Sequence, residues 1–136
     1  MQFLLLIHTD PALVAALPPG EFDRLMHGCF EHADALQRAG VLLGSQQLEA
    51  PQSARSLRER DGRASTTDGP YAETKELLAG FNLIEARDMQ EAERIAGEFP
   101  WARVGCIEIR PVRDMAAVRR QVGAAPGRLE WADAAG

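Results

Sequence analysis

At 136 residues the chain is long enough for one hydrophobic core and too short for two ordinary domains, which usually have about 100–150 residues each. Hydrophobic residues make up 46% of it and charged residues 26%, a balance typical of a folded protein that excludes a disordered one. The formal net charge of -5 disfavours nucleic-acid binding, because the chain offers no broad positive field to phosphates.

The first predicted element is a strand over Gln2–His8, bounded by Thr9-Asp10-Pro11. Its apolar residues are uninterrupted, so we expect a central strand that is buried on both faces. The apolar run Phe3–Ile7 is far shorter than the roughly 20 residues of a membrane span, and no basic residue precedes it as in a signal peptide. We therefore expect a cytoplasmic protein that makes no contact with membranes.

A long amphipathic helix is predicted next. After a possible helical turn at Pro11–Ala16, the segment Pro18-Pro19-Gly20 restarts the chain, and the helix ends at Gly40. Its expected buried stripe consists of Phe22, Met26, Cys29, Ala33 and Leu36. The opposite face carries charged residues together with His27, which we expect to be exposed.

A second strand is predicted over Val41–Leu48, followed by a polar hairpin. The hairpin consists of Ser53–Arg60 and Arg63–Thr67, with Asp61-Gly62 supplying the positive φ angles of a type I′ turn. Because its strands are polar, we expect the hairpin to lie at the periphery of the fold.

The remaining elements are a strand over Gly80–Glu85, a helix that begins at Asp88, and a last strand over Val104–Val112. Asp88 and Glu91 have the spacing of a capping box, and Pro100 ends the helix. Its expected buried face consists of Met89, Ala92, Ala96 and Phe99.

This order predicts an α+β fold: a ferredoxin-like antiparallel sheet with two helices on one face and an extra β-hairpin. Two helices cover only one sheet face, yet Leu4 and Leu6 place apolar side chains on the other. A second copy of the chain is the simplest cover, so we predict a homodimer, in which Glu108 and Arg110 pair across the interface.

The domain is predicted to span residues 1–113, and residues 114–136 form a C-terminal tail that could dock on the partner subunit. A short helix is possible at Ala116–Val122, and Trp131 is the lone large apolar residue beyond it.

The densest cluster of functional groups lies in Asp68–Glu76, between the hairpin and the next strand. Its candidate substrate-binding residues are Asp68, Tyr71, Thr74 and Lys75. A purely structural interpretation is also open, in which Asp68 hydrogen-bonds its own turn, Gly69 supplies an unusual φ and Pro70 stiffens the bend.

The segment Asp68–Glu76 reads Asp-Gly-Pro-Tyr-Ala-Glu-Thr-Lys-Glu and resembles the signature loop of the YCII-related family, specifically its DGPF-domain branch. The resemblance extends to Gly80–Asp88, to Ile107–Val112 and to the opening run Phe3–Ile7. It covers about residues 1–113 and implies the fold of the ferredoxin-like dimeric α+β barrels.

What the family implies about function is less specific. Most DGPF proteins have no established activity, while some YCII relatives are lyases that eliminate chloride from chlorinated hydroxymuconate-type ring-cleavage products. The family is also associated genetically with extracytoplasmic-function sigma factors. The resemblance therefore implies a small-molecule ligand and leaves a sigma-factor link open.

Three residues are candidates for the catalytic group. In YCII relatives the proposed base is a His on the first helix, and its position here falls at about Cys29. His32 lies one turn further along the same face, and His8 ends the central strand. Cys29 would be a nucleophile if His32 lowered its pKa. Structural roles as core-edge histidines and a packing thiol remain open for all three.

We therefore predict a cofactor-free lyase or isomerase that uses a histidine general base on a small polar molecule. The alternatives are a non-catalytic ligand-binding or regulatory module linked to a sigma factor, and a purely structural dimer. No metal site is predicted, because the three histidines and two cysteines show no ligand spacing. No phosphate-binding glycine motif or other cofactor signature is present.

Overall fold

A computed structural model describes residues 1–127 of the chain. Its strands are β1 (Gln2–Thr9), β2 (Leu42–Gln47), β3 (Arg55–Arg60), β4 (Arg63–Asp68), β5 (Leu77–Glu85) and β6 (Gly105–Pro111). Its helices are α1 (Pro11–Ala15), α2 (Glu21–Arg38), α3 (Met89–Gly97) and α4 (Met115–Gln121), and short 3-10 turns lie at Pro51–Ser53 and Pro100–Val104.

The main sheet has the strand order β2-β5-β1-β6, and each neighbouring pair is antiparallel. β3 and β4 form a separate two-stranded hairpin. This is the ferredoxin-like arrangement, with the first strand in the interior of the sheet, so the predicted α+β fold class is confirmed. The type I′ turn is also confirmed, because Asp61 and Gly62 both have positive φ angles, of 53° and 74°.

The hydrophobic core lies between one face of the sheet and the helices α2 and α3. Phe3, Leu5 and Ile7 alternate along β1 and are all buried on this face. They pack in one cluster with Leu25 of α2 and Ile95 of α3. Both long helices therefore cover the same side of the sheet, as predicted.

Two details of the predicted pattern were wrong. Phe22 was expected in the buried stripe of α2 but is 41% exposed, and Leu25 is the residue that α2 buries. Phe22 lies near the helix start, and its ring packs against the ring of Trp101 with the two centroids 6.0 Å apart. The fifth strand begins at Leu77 rather than Gly80, because Leu77 pairs with Thr9 beyond a bulge in the ladder.

The opposite face of the sheet carries Leu4, Leu6 and Phe81, all partly exposed in the single chain. The register places them side by side, since Leu6 pairs with Phe81, and Leu4 lies two residues before Leu6 on the same strand. We name this surface the open sheet face. Its coverage by a second copy stays a prediction.

The predicted helix near the C-terminus is present as α4, with Asp114 as its N-cap. Residues 128–136, which include Trp131, lie outside the described part of the chain. Within residues 1–127, no helix is both long enough and apolar enough to cross a membrane.

Candidate functional site

The loop after β4 bends over the end of β1 and forms a cleft with it. His8 and Thr74 line both halves of this cleft; Tyr71 adds to one half, and Lys75 and Glu108 add to the other. We name it the loop cleft. It is where the Asp-Gly-Pro-Tyr segment meets a histidine.

Strand register explains how the residues of the cleft come together. Even-numbered residues of β1 face away from the core, which places His8 on the open sheet face. In the antiparallel pairing of β1 with β6, Cys106 lies opposite His8 and Glu108 lies opposite Leu6. Glu108 is therefore the diagonal neighbour of His8, within reach of a long side chain.

The imidazole of His8 pairs with the carboxylate of Glu108. Nε2 of His8 lies 3.2 Å from Oε1 of Glu108. A carboxylate only accepts hydrogen bonds, so a neutral His8 that donates from Nε2 carries its lone pair on Nδ1. This arrangement restrains the ring and leaves Nδ1 as the proton-accepting nitrogen of that tautomer.

An ion pair connects the loop to Asp10, the residue that follows β1. Nζ of Lys75 lies 3.7 Å from Oδ2 of Asp10, whose side chain is buried while that of Lys75 is 84% exposed. Asp10 also accepts a hydrogen bond from the Ala12 backbone N–H at 2.9 Å, which caps α1. Lys75 therefore presents a positive charge beside the cleft.

The other loop residues have different surroundings. Tyr71 is 80% exposed, and its carbonyl accepts a hydrogen bond from Arg58 Nη2 at 2.9 Å. The hydroxyl of Thr74 donates to the Glu76 carbonyl. Asp68 ends β4 and lies 3.6 Å from Nε of Arg55, so its carboxylate faces the hairpin.

A second cleft lies on the helix side of the sheet, between α2 and the edge formed by β2 and β5. Its lining includes Met26 and Cys29 of α2, Trp101 and the buried Asn82. We name it the apolar cleft. Burial raises the pKa of the Cys29 thiol, and a hydrogen bond with Trp101 lowers it in part. The thiol is therefore held in its protonated, weakly nucleophilic form at neutral pH.

His32 packs between α2 and α3, with its ring edge-on to Phe99 at a centroid distance of 4.7 Å. Its buried Nε2 lies 3.1 Å from Oε2 of Glu98, outside hydrogen-bond geometry. His27 lies on the solvent face of α2, as predicted, with Nε2 2.6 Å from Oε1 of Glu31.

Comparison with known proteins identifies the family. The model of the YCII-related domain matches residues 1–116. The chain belongs to the YCII-related domain family. An uncharacterized protein of Rhizobium meliloti (strain 1021) is 32% identical to this YCII-related protein over 114 residues, which are 82% of this chain and 92% of the relative.

A solved structure is similar in its fold. It is the 5-chloro-2-hydroxyhydroquinone dehydrochlorinase TftG from Burkholderia phenoliruptrix AC1100, in complex with 2,5-dihydroxybenzoquinone. The match covers 83% of this chain and 94% of that chain, with 13% sequence identity and a TM-score of 0.43. A likeness this distant says nothing about the reaction of this YCII-related protein.

Of the residues singled out from the sequence, His8, Tyr71, Thr74 and Lys75 come together in the loop cleft. Cys29 lies in the apolar cleft, His32 lies between the two helices, and Asp68 faces the hairpin.

Three further polar residues of this YCII-related protein were missed as site candidates. Glu108 was expected to form an ion pair across a dimer, and only the register of β6 against β1 aligns it with His8. Asp10 was treated as a strand boundary. Asn82 offered a signal, because it is an amide between Phe81 and Leu83 in a mostly apolar strand.

Proposed function

We propose that this YCII-related domain protein is a cofactor-free lyase or isomerase that uses His8 as a general base on a small polar molecule in the loop cleft. The observation that supports the proposal best is the pairing of His8 with Glu108 at 3.2 Å, in the half of the loop cleft that Thr74 and Lys75 also line. A histidine held by a carboxylate is suited to proton transfer near neutral pH.

The surroundings of the three histidines favour His8 over the other two. His32 is packed against Phe99 with its Nε2 buried, so a substrate has little access to that nitrogen. His27 has a carboxylate partner but points into solvent from an exposed helix face. His8 combines a carboxylate partner with a place in a cleft.

The proposed reaction begins with removal of a proton from a carbon next to a carbonyl group. Nδ1 of His8 takes the proton, and the electron pair moves onto the carbonyl oxygen as an enolate. The ammonium group of Lys75 stabilises this negative charge. Departure of a leaving group from the neighbouring carbon completes a lyase reaction, and reprotonation at another carbon completes an isomerase reaction.

A homodimer formed through the open sheet face would complete the cleft. Leu4, Leu6 and Phe81 make that face apolar, and His8 lies at its end. Covering the face would bring the partner against the cleft and exclude water from the His8–Glu108 pair. Exclusion of water strengthens the electrostatic interactions that general-base catalysis uses.

A proton-exchange assay tests this proposal and does not require the physiological substrate. The protein is incubated in D2O with a panel of small keto acids, hydroxy ketones and hydroxyquinones, and proton NMR follows the loss of C–H signals. We expect exchange of at least one compound, and a loss of roughly a hundredfold or more in His8→Gln, the usual contribution of a general base. Glu108→Gln should have a rate between those of the wild type and His8→Gln.

His27→Gln is the matched control, because it removes a carboxylate-paired histidine from a solvent-facing surface of the same chain. It should exchange at the wild-type rate. The proposal fails if no compound in the panel is exchanged, or if His8→Gln and His27→Gln exchange equally fast.

A further inference from the structure

The loop cleft continues from His8 toward the hairpin. The half that contains Tyr71, here named the Tyr71 half, has a volume of about 570 Å³, within the usual range for ligand pockets. The half that contains Lys75 lies on the other side of His8. Strand register gives the same division, because His8 lies opposite Leu78 on β5 and opposite Cys106 on β6. His8 therefore lies at the border between the two halves.

The Tyr71 half is lined mainly by apolar side chains. The larger ones are those of Leu48, Pro51, Pro70, Tyr71, Leu77 and Leu78. Of these, Leu48, Tyr71 and Leu78 are all exposed in the chain. Exposed large apolar residues are normally scattered singly over a protein surface, and several of them in one concave surface indicate a site for an apolar group.

Hydrogen bonds join the two walls of the Tyr71 half. The Gly69 N–H donates to the Ala54 carbonyl at 2.8 Å, and Ser56 Oγ donates to the Gly69 carbonyl at 2.9 Å. Arg58 Nη2 donates to the Tyr71 carbonyl from the same hairpin. The loop and the hairpin therefore form one preformed surface, which lowers the ordering cost of binding a ligand.

The charged residues of the Tyr71 half do not favour an ionised group. Glu49, Arg55 and Glu76 belong to its lining, so carboxylates and a guanidinium occur together. Arg55 already has a partner, because its Nε lies 3.6 Å from a carboxylate oxygen of Asp68. The part of a ligand that enters this half is therefore neutral and apolar, in contrast to the part beside the Lys75 ammonium.

We propose that the loop cleft binds an amphipathic ketone, whose carbonyl end lies beside His8 and Lys75 and whose alkyl tail lies in the Tyr71 half against Leu48 and Leu78. The position of the carbonyl end rests on the proposed function, whereas the tail site requires no reaction. This inference narrows the substrate of the proposed reaction to a carbonyl compound with an apolar tail.

The test uses Tyr71 as a reporter, because it is the only tyrosine of the chain. In the full chain labelled with ¹³C on the tyrosine ring, one NMR signal reports binding in this half of the cleft. The probes are 2-butanone, 2-hexanone and 2-octanone, which share the carbonyl end and differ in tail length. We expect saturable shifts of the signal and an affinity that rises about fourfold for each added CH2 group, the effect of burying one methylene.

Two leucine variants test the location of the tail. Leu78→Ser removes the apolar wall beside His8 and should weaken binding of 2-octanone about tenfold, with little effect on 2-butanone. Leu57→Ser is the matched control, because Leu57 is an exposed leucine of the hairpin outside the cleft lining, and it should bind like the wild type. If Leu78→Ser does not fold, Leu48→Ser tests the same wall.

Three results would overturn the proposal: no saturable shift of the Tyr71 signal, equal affinities for the three ketones, or equal weakening in the Leu57 variant and the cleft variant. His8→Gln separates the tail site from the proposed reaction, since it should lose proton exchange and keep the rise of affinity with tail length. Proton exchange by the wild type without that rise would contradict the tail site alone, and the rise without proton exchange would contradict the reaction alone.

Discussion

The two cysteines have different chemical surroundings. Cys106 is exposed at the loop cleft, whereas Cys29 is half-buried and its thiol pKa is raised by burial. A raised pKa lowers the thiolate fraction at any pH below it, and the thiolate is the reactive form. In the single chain, where no partner covers the loop cleft, we expect iodoacetamide at pH 8 to modify Cys106 first and Cys29 more slowly, as followed by mass spectrometry of tryptic peptides.

The same experiment in urea provides the control, because the two thiols should then react at similar rates. Modification of Cys29 as fast as Cys106 in the folded protein would contradict the burial of the thiol beside Trp101.

Gly105 controls the approach of β6 to His8. A Cβ at this position would collide with the carbonyl oxygen of His8, whereas the space around Gly97 in α3 is open. Gly105→Ala should therefore lower the free energy of unfolding by roughly 1–3 kcal/mol, the usual cost of overpacking. Gly97→Ala should raise it by about 0.5–1 kcal/mol, because alanine favours a helix. Urea unfolding measures both, and a neutral Gly105→Ala would contradict the close approach.

Two contacts between side chains could not be predicted from the sequence. The sequence indicates His8 and Glu108 as separate candidates. Their pairing depends on the register between β1, near the start of the chain, and β6, more than 90 residues later. Alternation predicts which face a residue occupies, and it does not predict which residue lies diagonally across the ladder. Cys29 was placed correctly on the inner face of α2, yet its hydrogen bond to Trp101 required the tertiary structure.

At the level of elements, Asp10 joins the end of β1, the start of α1 and the loop after β4. Its carboxylate accepts from the Ala12 N–H and faces the ammonium of Lys75. Asp10→Asn keeps an oxygen for the cap and removes the charge, so it should cost about 0–1 kcal/mol, because the Lys75 partner of the ion pair is exposed to solvent. Asp10→Ala also removes the cap and should cost about 1 kcal/mol more.

Urea unfolding of both variants measures this difference, with Lys75→Met as a partner that removes the ion pair from the other side. Lys75→Met should resemble Asp10→Asn. Equal stabilities of Asp10→Asn and Asp10→Ala would show that the cap contributes nothing.

Most elements follow from local patterns, because apolar periodicity and glycine or proline boundaries act within a few residues. The hairpin turn at Asp61-Gly62 and the N-cap at Asp88 are two such cases. The capping box is only half formed, since Glu91 Oε1 accepts from the Arg87 N–H rather than from Asp88. The early start of β5 at Leu77 was missed because it depends on pairing with β1 across a bulge.

At the scale of the whole molecule, the open sheet face leads to a prediction about assembly. We expect the protein to elute as a dimer of twice its 14.9 kDa chain mass in size-exclusion chromatography with light scattering. Leu6→Arg places a charge in the middle of this face and should give monomers. Leu57→Arg, on the polar hairpin where Leu57 is 71% exposed, should remain dimeric. A monomeric wild type would contradict the prediction.

The overall fold was accessible from sequence because two lines agreed, the order of strands and helices and the resemblance to a known family. Function was less accessible from sequence. The signature loop indicates the family, but the residues that line the loop cleft with it, His8 and Glu108, come from strands that are distant in sequence. A regulatory role linked to a sigma factor stays a prediction, tested by co-purification.

Chemical rescue is the most direct measurement of the His8 assignment. His8→Ala removes the imidazole and leaves a space beside Glu108 that free imidazole can enter. We expect His8→Ala to lose proton exchange with the compound that the wild type exchanges, and added imidazole to restore part of the rate in proportion to its concentration. Exchange by His8→Ala at the wild-type rate, without imidazole, would contradict the assignment of His8 as the general base.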